Sequence, residues 1–187
     1  MTQLPKWDDY FYEIAEVVAK KSKDKPKVGA VIVREEDHIL LSTGYNGPPR
    51  KVLDLERRLA GKKTKLSWIC HAEMNAIFNA VRSGAALLGG KIYVTKFPCV
   101  MCAGAIIQAG LVGVYTEDIW FWEGDPLDDG AGSCSVRTLT EAGVQIHAPK
   151  LDFKNARPDL EPSSQWARSN ANESGNGKHD LSGGCRA

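Results

Sequence analysis

Residues 91–115 read KIYVTKFPCVMCAGAIIQAGLVGVY. Lys91–Thr95 is rich in β-branched and aromatic residues, as strands are. Pro98 suits the start of a helix, because its fixed φ is helical and its missing N–H would go unused there. The helix predicted from Cys99 to Ala109 ends at Gly110, the residue type that best adopts a left-handed cap. Leu111–Tyr115 is a second strand. Strands joined through a helix run parallel, since a short turn cannot bring them side by side in the same direction.

The alternation continues outward from this unit. Upstream, Cys70–Arg82 has helical spacing, with Met74, Ile77, Phe78 and Val81 expected on its buried face. Val28–Val33 and Ile39–Thr43 flank the polar turn Glu35-Glu36-Asp37 and predict a hairpin. Trp7–Ser22 predicts a helix with Trp7, Phe11, Ile14 and Val18 as its apolar stripe, stopped by Pro26. Downstream, a helix over Cys134–Ala142 and a strand over Val144–Ile146 complete the pattern. Helix, hairpin and three helix–strand alternations imply an α/β fold with helices on both faces of the sheet. The hairpin is expected to be antiparallel and the later strands parallel. A domain over residues 1–150 and an extension over 151–187 are expected, because from Ser163 the chain is mostly Ser, Asn, Gly and charge.

The chain has 187 residues and a net charge of +1, which argues against a general nucleic-acid binder. No apolar run approaches the roughly 20 residues of a membrane span. The first residues lack the pattern of a secretory leader, so a cytoplasmic address is expected. The five cysteines are an odd number and suit a reduced compartment better than a disulfide framework.

Two short motifs carry chemistry: Cys70-His71-Ala72-Glu73 and Pro98-Cys99-Val100-Met101-Cys102. Cys99 and Cys102, three apart in the first turn of a helix, share a face. Helix N-termini favour thiolate. Two thiolates and the His71 nitrogen form a donor set suited to zinc, and three protein ligands leave a fourth position open, as catalytic sites do. Glu73 beside it suits proton transfer. The alternative is a buried cysteine pair or half of a structural zinc site, although no second C-x-x-C supplies the other half. Cys70 reads as a small core residue.

H-x-E followed by P-C-x-x-C is the signature of the zinc-dependent cytidine deaminase superfamily, which this chain resembles. The resemblance is to deoxycytidylate (dCMP) deaminases over about Trp7 to Ile146. It rests on Ser22-Lys23-Asp24, Val28–Val33, Thr43-Gly44-Tyr45-Asn46-Gly47 with Pro49, His71–Ile77, and Ala142-Gly143-Val144. The resemblance implies a three-layer α/β/α fold around a mixed five-stranded sheet. It also implies one zinc per chain on His71, Cys99 and Cys102, with Glu73 as proton shuttle. The implied reaction is hydrolysis of dCMP to dUMP with release of ammonia, in a homo-oligomer. Asn46 is implied at the sugar and base, and the Ala72 N–H at the pyrimidine carbonyl.

Other readings stay open: a deaminase of cytidine, guanine or adenosine in tRNA, or a non-catalytic zinc-binding protein. The helix after Pro98 also looks like that of tRNA adenosine deaminases. A nucleotide substrate needs its phosphate held; the cations on offer are Arg50, Lys51, Arg57, Arg58, Lys62, Lys63 and Lys65 in the long loop and Lys23 before the first strand, and Arg50, four residues after Asn46, is the best single candidate. Lys51 stands where the dCMP family often has glycine, which puts nucleotide regulation in question. The aromatic run Trp120-Phe121-Trp122 fits either a pocket mouth or a contact between copies.

Overall fold

A computed structural model of the chain describes residues 5–59, 65–117 and 131–148. The aromatic run at 120–122 and the extension from 151 lie outside them. Ten elements follow in order: α1 Trp7–Ala19, β1 Gly29–Arg34, β2 Leu40–Tyr45, α2 Glu56–Leu59, α3 Ala72–Ser83, β3 Gly90–Val94, α4 Val100–Gln108, β4 Gly113–Tyr115, α5 Ala131–Glu141 and β5 Gln145–His147.

The strands form one sheet in the order β2-β1-β3-β4-β5. The hairpin β1–β2 is antiparallel, and β3, β4 and β5 are mutually parallel, as expected. The sequence reading did not foresee that β1 also pairs with β3, antiparallel, with Ala30 opposite Val94 and Arg34 opposite Gly90. Strand β1 is therefore inserted between β2 and β3, and it alone runs against the other four. That central place explains its burial over five consecutive residues.

Alternate side chains along the strands serve two cores, as the two-residue strand period dictates. On one face Val31, Val33, Tyr93 and Tyr115 pack beneath α1. On the other, Ala30, Ile32, Ile92, Val94 and Val114 meet α3, α4 and α5. Helix α1 is also tied to the sheet by the Tyr93 hydroxyl, which donates to Asp8 at 2.8 Å.

The expected helix faces need correction. In α1 the buried residues are Phe11, Tyr12, Ala15 and Ala19, while Trp7 is half exposed and Ile14 and Val18 are only partly buried. In α3 they are Ala72, Glu73, Ala76, Ile77 and Ala80, whereas Phe78 and Val81 face outward. The physical reason is the closeness of helix to sheet. A Cβ on Gly29 would lie 2.0 Å from the Ala15 carbonyl oxygen, and one on Gly44 would lie 2.2 Å from the Ala76 nitrogen. Only alanines fit at such contacts, so the larger apolar residues turn away. Polar side chains then fix α3 to β2: Ser42 Oγ donates to the Ala76 carbonyl at 2.7 Å, and Asn79 Nδ2 to the Thr43 carbonyl at 2.7 Å.

Candidate active site

The site lies where α3 and α4 begin. His71 and Cys99 both occupy helix N-cap positions in extended conformation, and neither side chain caps its helix. Both are turned to a common point instead. Cys102, in the first turn of α4, is buried and joins them. The long connection after β2 is closed by a two-way backbone bridge between Gly47 and Cys70, which sets Asn46 beside this point. Helix α5 supports it through Ser135 Oγ, which donates to the Pro98 carbonyl at 2.6 Å.

The sulfurs of Cys99 and Cys102 each lie 3.4 Å from His71 Nδ1. A tetrahedral zinc, with bonds of about 2.3 Å to sulfur and about 2.0–2.1 Å to nitrogen, sets that separation at about 3.5 Å. The donor set thus fits one zinc in both chemistry and spacing. Among the described residues no other group of three His, Cys, Asp or Glu side chains comes together this way.

The electrostatics follow from crowding. The hydrogen bond from Cys102, and then the one with His71, hold the Cys99 thiol down to about 4. Cys102 moves up, because its proton is shared with Cys99 and its sulfur is buried. His71 is raised chiefly by its bond to Cys99. Glu73 is 3% exposed, and burial raises its pKa. Its carboxyl bonds to Cys102 and to its own backbone N–H.

A cavity of about 110 Å³ opens on this cluster, lined by His71, Ala72, Glu73, Cys99, Phe97, Asn46 and Lys65 among others. Ala72 is the first residue of α3, so its N–H has no partner within the helix. Asn46 is held tightly: Nδ2 donates to Asp24 at 2.8 Å and to the Pro26 carbonyl at 2.9 Å, while Oδ1 accepts the Val28 N–H at 2.7 Å. Arg50 is not in this cavity. It lines a neighbouring one of about 440 Å³, with its guanidinium on Asn79. Asp24 and Asn46 form a wall common to both. Sequence reading assigned no role to Lys96, Phe97 or Asp24, and offered Lys65 only as one of several loop cations for a phosphate. Lys65 was hidden in a loop with several lysines, and nothing local marks it.

This α/β/α frame and its metal cluster define a zinc-dependent hydrolytic deaminase. The profile described as "Cytidine and deoxycytidylate deaminase zinc-binding region" matches residues 5–117, and the chain belongs to that family. It is 38% identical over 172 residues to the deoxycytidylate deaminase of Mus musculus, covering 83% of this chain and 92% of that protein. It is 43% identical over 167 residues to that of Homo sapiens, covering 81% and 89%. Among solved structures, the dCMP deaminase of cyanophage S-TIM5 in complex with dCMP and dUMP superposes with a TM-score of 0.61. That match has 25% identity and covers 79% of this chain and 99% of that one.

Proposed function

We propose that the protein deaminates dCMP to dUMP by hydrolysis, releasing ammonia. The observation that carries the chemistry is Glu73, buried and raised in pKa beside three convergent ligand atoms. The deoxycytidylate deaminases among its relatives and the cyanophage enzyme's complex with dCMP and dUMP support the substrate. Zinc held by His71, Cys99 and Cys102 supplies Lewis acidity, which brings the pKa of water towards about 7. Glu73 takes one proton of the attacking water and delivers it to the ring nitrogen of the base, then takes the second from the newly added hydroxyl and delivers it to the amine, which leaves as ammonia as the carbonyl forms. Its burial suits both roles, because a raised carboxyl pKa lies closer to neutral pH. The Ala72 N–H donates to the pyrimidine carbonyl. Both Asn46 amide donors are spent on the scaffold, so its free capacity is the second lone pair of Oδ1. That lone pair accepts a sugar hydroxyl.

A homo-oligomer is part of this reading, supported by apolar side chains at the surface such as Met101 and Leu88. A cytoplasmic location is too, because the thiolate ligands need a reducing compartment. Among the described residues no helix is long and apolar enough to cross a membrane. The test is ammonia release from dCMP, CMP, deoxycytidine, cytosine, guanine and adenosine in tRNA. Turnover of dCMP well above the others is the expected result, and preference for a purine or a free base overturns the reading.

A further inference from the structure

Asp24 is 3% exposed and belongs to the wall shared by the two cavities. We propose that it is a positioning residue for the reaction: by accepting from Asn46 it fixes which end of that amide faces the substrate, and so makes recognition of the sugar hydroxyl possible. Asp24 acts in this way within the dCMP reading above, in which Asn46 meets the sugar.

An asparagine amide is a donor at one end and an acceptor at the other, and the two ends are nearly equal in size. Its neighbours therefore decide which end points where. Asp24 Oδ2 and the Pro26 carbonyl can only accept, and they take Nδ2 at 2.8 and 2.9 Å. The Val28 N–H can only donate, and it takes Oδ1 at 2.7 Å. The main chain around the residue is braced as well. Ser22 Oγ donates to the Asn46 carbonyl at 2.7 Å, and Asn75 Nδ2 donates to the Tyr45 carbonyl at 2.8 Å. Of the three partners of the amide, two are backbone groups. Asp24 alone is a side chain, so its hydrogen-bonding sense can be altered by substitution at nearly constant shape.

Asp24 is enclosed by donors. Oδ1 accepts the Lys25 N–H at 2.6 Å and pairs with the Lys65 ammonium at 2.8 Å, while Oδ2 accepts Asn46 Nδ2. A carboxylate suits all three, since it is acceptor-only. In Asp24→Asn the introduced NH₂ must meet a donor whichever way it turns. Towards Lys65 and Lys25 it meets two, one of them cationic; towards Asn46 it meets one neutral donor. It therefore turns to Asn46, and the Asn46 amide rotates to offer its oxygen in return. That rotation sets Nδ2 against the Val28 N–H and removes the Oδ1 lone pair from the cavity. The hydroxyl at stake follows from the substrate's chemistry. In dCMP the 5′ oxygen is esterified and the 2′ carbon bears none, so the 3′-hydroxyl is the one that Oδ1 accepts.

The experiment measures kcat/KM of the zinc-loaded enzyme for dCMP and for 2′,3′-dideoxycytidine 5′-monophosphate, in wild type and in Asp24→Asn. Wild type is expected to favour dCMP by roughly three- to tenfold, the worth of one neutral hydrogen bond. In Asp24→Asn that ratio should fall to near one. The change should come from a loss on dCMP, seen in KM more than in kcat, while the dideoxy value stays within about twofold of wild type. A general loosening of the fold lowers both substrates alike, so equal losses overturn the assignment, and so does an unchanged ratio. A wild type that treats the two nucleotides alike overturns the sugar contact and Asp24's part in it, while leaving dCMP as substrate. A wild type that turns over neither overturns the dCMP reading itself. Should Asp24→Asn fail to fold, Asp24→Glu decides. It keeps the charge beside Lys65 but carries the carboxylate one methylene away from its line to Asn46. The ratio must again fall with the dideoxy value held, and equal losses or an unmoved ratio refute the positioning role.

Discussion

Replacing Gly44 by Ala tests how the sheet positions the catalytic helix. Gly44 lies in β2 opposite Ala30, with α3 directly above it. An added Cβ would sit 2.2 Å from the Ala76 nitrogen and 2.4 Å from the Ala72 carbonyl oxygen. Both are backbone atoms of α3, so no side chain can rotate aside, and restoring normal contact moves the helix by about 1 Å. Overpacking of this kind costs roughly 1–3 kcal/mol, and the backbone contact puts Gly44→Ala near the upper end. At about 2–4 °C per kcal/mol for a chain of this size, Tm should drop by about 6–12 °C. Helix α3 carries Glu73 and begins at His71, and a misplacement of about 1 Å costs on the order of 100-fold in rate. The assay is thermal unfolding alongside ammonia release from dCMP at saturating zinc. Ser42→Ala is the control: it removes the hydroxyl that bonds the Ala76 carbonyl, at a cost of about 1 kcal/mol, without pushing the helix. Gly44→Ala with unchanged Tm and kcat would refute the argument from close approach. A lower Tm with intact kcat would show that the displacement does not reach Glu73.

Four further outcomes are expected. Glu73→Gln should keep its zinc and lose at least about 10²–10⁴ in turnover; near-normal activity with metal bound would remove Glu73 from proton transfer. Elemental analysis should find one zinc per chain in wild type and none held tightly by Cys102→Ala, and a second tightly held zinc would count against the ligand set. Lys51 sits at φ +67, a left-handed conformation costing a non-glycine residue roughly 1–2 kcal/mol, so Lys51→Gly should raise stability by up to about 1 kcal/mol in urea titrations after the glycine's added chain entropy. Burial pushes Tyr115 up to about 12 and Tyr93 higher still, so the folded state keeps protons that the unfolded chain releases from about pH 10. Stability should be fully present below about pH 10 and be lost as pH rises towards 12 and beyond, with phenolate absorbance and loss of helical circular dichroism appearing together.

The metal cluster could be read in advance because each half is local. Cys99 and Cys102 share one helical turn, and the strand–turn–helix pattern around Pro98 fixes where that turn begins. His71 and Glu73 belong to the same kind of junction. The faces of α1 and α3 could not be read so directly. Hydrophobic spacing favours large residues, whereas the contacts that decide these faces are glycine against alanine, and Phe78 and Val81 are excluded by lack of room. Strand order was hidden for a related reason: nothing in Val28–Val33 tells whether one or both edges will be paired. The placement of the loop cations was the hardest to read. Arg50 and Lys65 come from the same cation-rich stretch, and only the Gly47–Cys70 bridge and the buried Asp24 decide which of them faces the cavity.

The uncapped starts of α3 and α4 carry a consequence for the life of the protein in a cell. A side-chain cap is typically worth about 1 kcal/mol, and two helices here forgo one because the residues at those positions face the metal cluster. The bound ion therefore supplies a join between two helix ends that the polypeptide does not make by itself, and its binding energy adds to folding. Scarcity of zinc should then shorten the lifetime of the chain as well as idle it. The metal-free form opens more often at these two turns, and proteolysis follows the population of opened molecules. A zinc-starved culture should accordingly hold less of this protein, and not merely the same amount in an inactive state.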